Sequence, residues 1–172
     1  MIKEFEKRLL SSIFLIPITI FFIIQGSVFF AFFLSILFIA SSYEWLQMNK
    51  NNNLLKLLGI IFLLISFYSA SEIREYRGHE YFLFIITVSI FTDIGGYLFG
   101  KTFNGPKLTK ISPNKTYVGV FGGFLLSLIA GLIYLNYFGE SEIVDTDYIL
   151  IFLLILFISS ISQVGDLSLI HI

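Results

Sequence analysis

Apolar residues run along this chain in blocks of about 16 to 21, too long and too evenly apolar for a soluble helix with one wet face. A hydrocarbon core of about 30 Å needs about 20 helical residues. Six blocks approach or reach that length: Leu9–Gln25, Val28–Tyr43, Leu54–Ala70, Tyr81–Gly100, Tyr117–Tyr137 and Tyr148–Gly165. The expected fold class is therefore all-α, a polytopic integral membrane helix bundle of about six transmembrane helices. Lys3, Lys7 and Arg8 precede the first block in the manner of a signal peptide. No small-residue cleavage site follows, and a second apolar run begins at once, so the block reads as an uncleaved span. Pro17 inside it is tolerable where neighbouring groups satisfy the freed carbonyl.

Composition agrees with this reading. The chain is 56% hydrophobic and 13% charged, with mean hydropathy +0.88. Soluble domains carry about a quarter charged residues, so lipid is the expected solvent. The absence of cysteine excludes disulfides, thiolate zinc sites and thiol nucleophiles. The few lysines flank the apolar blocks, which argues against nucleic-acid binding. The charges also sort. With the N-terminus in the cytoplasm, Lys3, Lys7, Arg8, Lys50, Lys56, Lys101, Lys107, Lys110 and Lys115 all fall inside, nine of eleven basic residues. Only Arg74 and Arg77 fall in an external turn, with Glu72, Glu75 and Glu80. That bias predicts N-terminus-in under the positive-inside rule. It puts the four-lysine loop 101–116 and Asp166 on one cytoplasmic face, where soluble nucleotides and metal ions are available.

Candidate chemistry concentrates between Thr92 and Gly123. Asp93 stands inside the fourth block, and a charge at the centre of a membrane helix costs about 2.5–3.5 kcal/mol. Such a residue is expected to face the bundle interior and to be functional, the bland alternative being an acid paired for packing. No acidic residue occurs from Ile94 to Gly139, so the lysine loop carries uncompensated positive charge. Gly95 to Thr102 fits the expression G-x-x-x-x-G-K-[ST] letter for letter. It lacks the strand and flexible loop that a phosphate-cradling loop needs, and Tyr97, Leu98 and Phe99 continue an apolar helix. Gly96/Gly100 and Gly119/Gly123 instead have the spacing of close helix packing. Ser112 is expected to cap the fifth helix with Pro113 at its first position. Lys115 then falls in the first turn, where the helix dipole disfavours a cation unless an anion is bound beside it; a lysine reaching headgroup phosphates is an equal reading. Asn114-Lys115-Thr116 is formally a glycosylation sequon, without meaning on a cytoplasmic face. Tyr43 and Trp45 read as interfacial anchors, and His79 stands without metal-binding partners. Asp166, at the end of the sixth block, can hold Mg²⁺ together with phosphate oxygens, since that ion usually takes one or two carboxylates.

These residues resemble the phosphatidate cytidylyltransferase (CDP-diglyceride synthase) family. The resemblance rests on Asp93-Ile94-Gly95-Gly96-Tyr97, Phe99-Gly100-Lys101, Lys107-Leu108, Ser112-Pro113-Asn114-Lys115-Thr116 with Gly119, Gly122-Gly123, and Gln163-Val164-Gly165-Asp166-Leu167. It implies an integral enzyme of a prokaryotic inner or cell membrane, its active face cytoplasmic. Such an enzyme transfers CMP from CTP to phosphatidic acid, releases pyrophosphate and requires Mg²⁺. Carried over residue by residue, it implies catalytic roles for Asp93, Lys115 and Asp166, with Asp166 also a metal ligand. Substrate contacts are implied at Lys101, Lys107, Ser112, Pro113, Asn114, Thr116 and Gly119. The assembly state is left open, a homodimer included. The chain departs from the family with Gly96 for Ala, Asn114 for one Lys of S-P-K-K and Val118 for Glu. After Gly165-Asp166-Leu167 the family's F-E-S-x-x-K-R and its later acidic metal-binding segment are replaced by Ser168-Leu169-Ile170-His171-Ile172. Residues 168–172 are expected to be a non-native tail, of the kind a sequencing adapter encodes. Residues 1–167 are then a partial cytidylyltransferase domain, and the 172-residue chain is expected to be inactive by itself. The alternatives are a CTP-dependent polyprenol or dolichol kinase-like enzyme, a membrane anion transporter, and a purely structural membrane protein.

Overall fold

The computed structural model describes residues 2–50, 52–103, 105–107, 115–138 and 147–168, the side chains of 2–12 and 166–168 excepted. The long elements of the described chain are all helices: α1 Ile2–Gln25, α2 Ser27–Met48, α3 Asn53–Phe103, α4 Tyr117–Phe138 and α5 Tyr148–Ser168. Four of them, α2 to α5, contain stretches long and apolar enough to cross a membrane, and outward residues such as Phe62 (70% exposed) and Ile149 (73%) stay apolar. That is the surface of a membrane helix bundle, in which lipid replaces water as solvent.

The turn expected between the third and fourth spans is present only as a kink at which two helices meet. Glu72, Arg74, Glu75, Arg77 and His79, placed by the charge pattern in a loop between the third and fourth spans, are helical within the 51-residue α3. The break narrows to Gly78, whose φ of 86° and ψ of 169° suit a residue without Cβ. The reason is local: helix-forming glutamates and arginines flank this glycine, and no proline or turn cluster ends the helix. Pro17 is carried inside α1. Gly95 to Thr102 are helical throughout, which removes the phosphate-loop match.

The chain divides into two compact units, residues 1–82 and 83–172. In the first, aromatic rings fill the spaces between helices: Phe22 stacks on Phe33 at 5.1 Å, and Phe38 meets Phe67 edge-on at 5.7 Å. The α1–α2 turn is held by Arg74. Its Nε donates to the Ile23 carbonyl at 2.7 Å and its Nη2 to Ile24 at 2.9 Å, satisfying carbonyls orphaned at the end of α1. Trp45 Nε1 donates to the Leu55 carbonyl at 3.0 Å, its ring seated against Gly59.

In the second unit the buried positions form one stripe per helix, spaced three or four apart as helix geometry requires. They are Phe84, Val88 and Thr92 on α3, Gly119 through Leu135 on α4, and Ile151, Ile155 and Ser159 on α5. Gly131 leaves room for Ile155, since a Cβ there would stand 2.8 Å from its Cδ1. Toward the α3 C-terminus the stripes turn small and polar, so the backbones approach closely at that end.

Candidate active site

Glycine determines where the site forms. A Cβ added to Gly95 would fall inside the Gly122 carbonyl group and 2.9 Å from Gly123 Cα, and one on Gly119 would lie 2.7 Å from the Gly96 carbonyl oxygen. The α3–α4 seam is therefore backbone against backbone, the arrangement that small-xxx-small spacing permits in membranes. Gly119 and Gly123 behave as their spacing predicts. On α3 the tightest position is Gly95 rather than Gly96, where a Cβ would meet Gly119 only at 3.8 Å.

A cleft opens beside this seam, lined by Thr92, Asp93, Gly96, Lys115, Thr116, Gly119, Val120 and Gln163. Its cavity volume of about 30 Å³ admits a few waters or an ion but not a whole nucleotide, so a large ligand would enter only in part. Thr116 closes one end. Its Oγ1 accepts from the Gly119 N–H at 3.0 Å, its backbone pairs with Lys107, and the next N–H, of Tyr117, donates to the Pro106 carbonyl at 3.1 Å.

This corrects the expected start of the helix. Thr116, not Ser112, is the N-cap, and Lys115 stands just before the helix rather than in its first turn. A hydroxyl at the N-cap reaches the third helical N–H, a requirement Thr116 meets three residues before Gly119. Lys115 keeps its place at the positive end of α4 and lines the cleft. Ser112, Pro113, Asn114 and Lys110 lie outside the described residues.

Asp93 is also corrected in part. It is an exposed carboxylate at the cleft, while its neighbour Thr92 is the residue buried in the bundle, 1% exposed. Burying the neutral hydroxyl and leaving the acid accessible avoids the desolvation cost of an enclosed charge. Asp93 Oδ1 accepts from Ser162 Oγ on α5 at 3.3 Å. Asp166 lies four residues after Ser162, one helical turn further along α5; its side chain is outside the described set. Lys101 does not line the cleft. It is exposed, and its Nζ donates to the Tyr97 hydroxyl at 3.1 Å and lies 5.4 Å from that ring's centre. Lys107 is likewise exposed and pairs with Thr116 through backbone only.

Three residues in or beside the cleft, Thr92, Ser159 and Gln163, received no site role from the sequence. The hydroxyls of Thr92 and Ser159, both buried, hydrogen-bond at 3.0 Å between α3 and α5. Gln163 Nε2 donates to the Val120 carbonyl and to Ser159 Oγ, each at 3.4 Å. The available signal was the polar series Ser159, Ser162, Gln163, Asp166 in an apolar helix, recurring at three- and four-residue intervals.

Residues 53–169 match the cytidylyltransferase family, a span that contains every lining residue of the cleft. A phosphatidate cytidylyltransferase of Staphylococcus saprophyticus is 37% identical over 136 residues, covering 76% of this chain and 50% of the relative. One from Rickettsia bellii is 34% identical over 133 residues, covering 73% and 56%. One from Bacillus subtilis is 34% identical over 113 residues, covering 64% and 40%. The chain thus spans about half the length of the curated relatives it matches. No solved structure matches it.

Proposed function

The chain belongs to the cytidylyltransferase family, and on that premise we propose that its cleft serves phosphatidate cytidylyltransfer at the cytoplasmic membrane face. The observation that carries this reading is the convergence of Asp93, Lys115 and Thr116 on one cleft inside the matched region. A phosphate oxygen of phosphatidic acid attacks the α-phosphorus of CTP. The new P–O bond forms CDP-diacylglycerol, the bond from the α-phosphorus to the bridging oxygen breaks, and pyrophosphate leaves. Both substrates are polyanions, so charge neutralisation and positioning carry most of such catalysis.

Lys115 supplies positive charge at the N-terminal end of α4, where the helix dipole also favours a phosphate. Thr116 fixes that end through its cap. The donor set also suits Mg²⁺. Asp93 offers an accessible hard oxygen ligand, and Asp166 follows Ser162, the α5 residue that donates to Asp93, by one turn. Mg²⁺ usually takes one or two carboxylates and completes its shell with phosphate and water. Asp93 and Asp166 would hold it, and it would supply countercharge to the phosphates.

The reading includes an N-terminus-in topology of six spans, with the break at Gly78 dividing α3 into the third and fourth. It also assigns residues 1–167 to part of a larger catalytic domain. The test joins residues 1–167 to the unmatched half of the S. saprophyticus relative and supplies labelled CTP with phosphatidic acid and, separately, with a polyprenol. Label from the α-phosphate entering lipid supports the proposal. Label from the γ-phosphate entering lipid identifies a kinase, and no transfer from either position refutes both.

A further inference from the structure

We infer that Ser162 is a positioning residue that fixes the Asp93 carboxylate for the reaction, an inference that rests on the cytidylyltransfer reading of the cleft. Serines in apolar helices usually return their hydroxyl to the carbonyl four residues earlier. Ser160 does this, donating to Leu156 at 2.7 Å. Ser162 instead donates to a carboxylate oxygen on another helix, Asp93 Oδ1, 69 residues away in sequence. The bond ties down one oxygen of a side chain whose terminal torsion is otherwise broad and directs the other oxygen. An accessible carboxylate without such a tether samples several orientations, and only some of them serve a fixed phosphate.

The support beneath this contact is itself well defined. One turn toward the bundle centre, Ser159 and Thr92 form a buried hydroxyl pair, and Thr92 directly precedes Asp93. On the next residue of α5, Gln163 bridges to the Val120 carbonyl of α4. Three consecutive polar contacts thus set the register of α5 against α3 and α4. Ser162 is the member of the series whose partner is an ionisable group at the cleft. Hydroxyl–hydroxyl contacts between membrane helices contribute stability; the Ser162 contact also orients a charge.

The test uses the chimera described above, with Ser162→Ala, Ser162→Thr and, as a control, Ser160→Ala, each assayed for CDP-lipid formation and thermal unfolding. Removing a group that orients a reactive carboxylate typically costs roughly 10- to 100-fold in activity. Ser162→Ala is expected to lose that much kcat with KM for CTP and the melting temperature unchanged. Ser162→Thr, which keeps the hydroxyl, is expected to recover the parent rate, and Ser160→Ala to match the parent. A parent-like kcat in Ser162→Ala overturns the inference, as does a loss that Ser162→Thr fails to recover or one that follows a fall in melting temperature. A parent chimera that labels no lipid overturns the cytidylyltransfer reading and the inference with it. An active parent with an unaffected Ser162→Ala overturns the inference alone.

Discussion

Gly95→Ala and Gly96→Ala differ by one position and should behave in opposite ways. At Gly95 the added methyl meets backbone only: the Gly122 carbonyl and, at 2.9 Å, Gly123 Cα. No side chain can rotate aside, so relief requires α3 and α4 to part by several tenths of an ångström along the seam that shapes the cleft. Overpacking of this kind costs typically about 1–3 kcal/mol. At Gly96 the nearest atom is the Gly119 carbonyl oxygen at 3.8 Å, an ordinary contact. Replacing glycine by alanine inside a helix gains about 0.5–1 kcal/mol through reduced backbone entropy. That gain is common to both variants and cancels in their difference, which isolates the steric cost. The two should therefore differ by about 1–3 kcal/mol, roughly 5- to 150-fold in the unfolding equilibrium. Gly96→Ala should be as stable as the parent or more so. Unfolding in mixed micelles, followed by circular dichroism, gives the comparison. Equal stability of the two variants would refute the backbone-on-backbone seam, and so would a larger loss at Gly96.

Other substitutions probe other parts of the structure. Thr116→Ala removes the cap on the Gly119 N–H and should cost about 1 kcal/mol, with Thr116→Ser recovering most of it in the same unfolding assay. Arg74→Met removes two charge-assisted bonds to the Ile23 and Ile24 carbonyls. The expected cost is about 1–2 kcal/mol, below the full value because the guanidinium is partly exposed, with faster proteolysis at the α1–α2 turn as a second readout. Asp93→Asn keeps the shape of the side chain and removes its charge, so the chimera should fold as the parent does and lose about 10²-fold or more in CDP-lipid formation.

Helix length and apolarity were readable because a membrane demands long, uniformly apolar runs, and four of the five described helices contain one of spanning length. The Gly119/Gly123 packing was readable from spacing, and Asp93, Lys115, Thr116 and Gly119 were named from sequence and stand at one cleft. Other features were hidden for identifiable reasons. The turn expected around Glu72 to Glu80 rested on charge, and charge alone does not end a helix; only Gly78 carried a backbone signal. Ser112 was a plausible cap by residue type, but Thr116 is the residue whose hydroxyl reaches an N–H at the actual helix start. Lys101 looked equivalent to Lys115 in a string of lysines. A helical position four residues after Tyr97 turns it to that ring instead. The Thr92–Ser159 and Asp93–Ser162 contacts join residues 67 and 69 apart, a pairing no local pattern encodes.

The cleft flanked by Asp93 and Lys115 is proposed to hold a phosphate of CTP for transfer to lipid. Transfer of α-phosphate label from CTP to phosphatidic acid, compared between the chimera and its Lys115→Met variant at matched folded protein, tests it most directly. The parent is expected to form CDP-diacylglycerol and the variant to lose about 10²-fold or more of that activity. Equal labelling by the two proteins would contradict it.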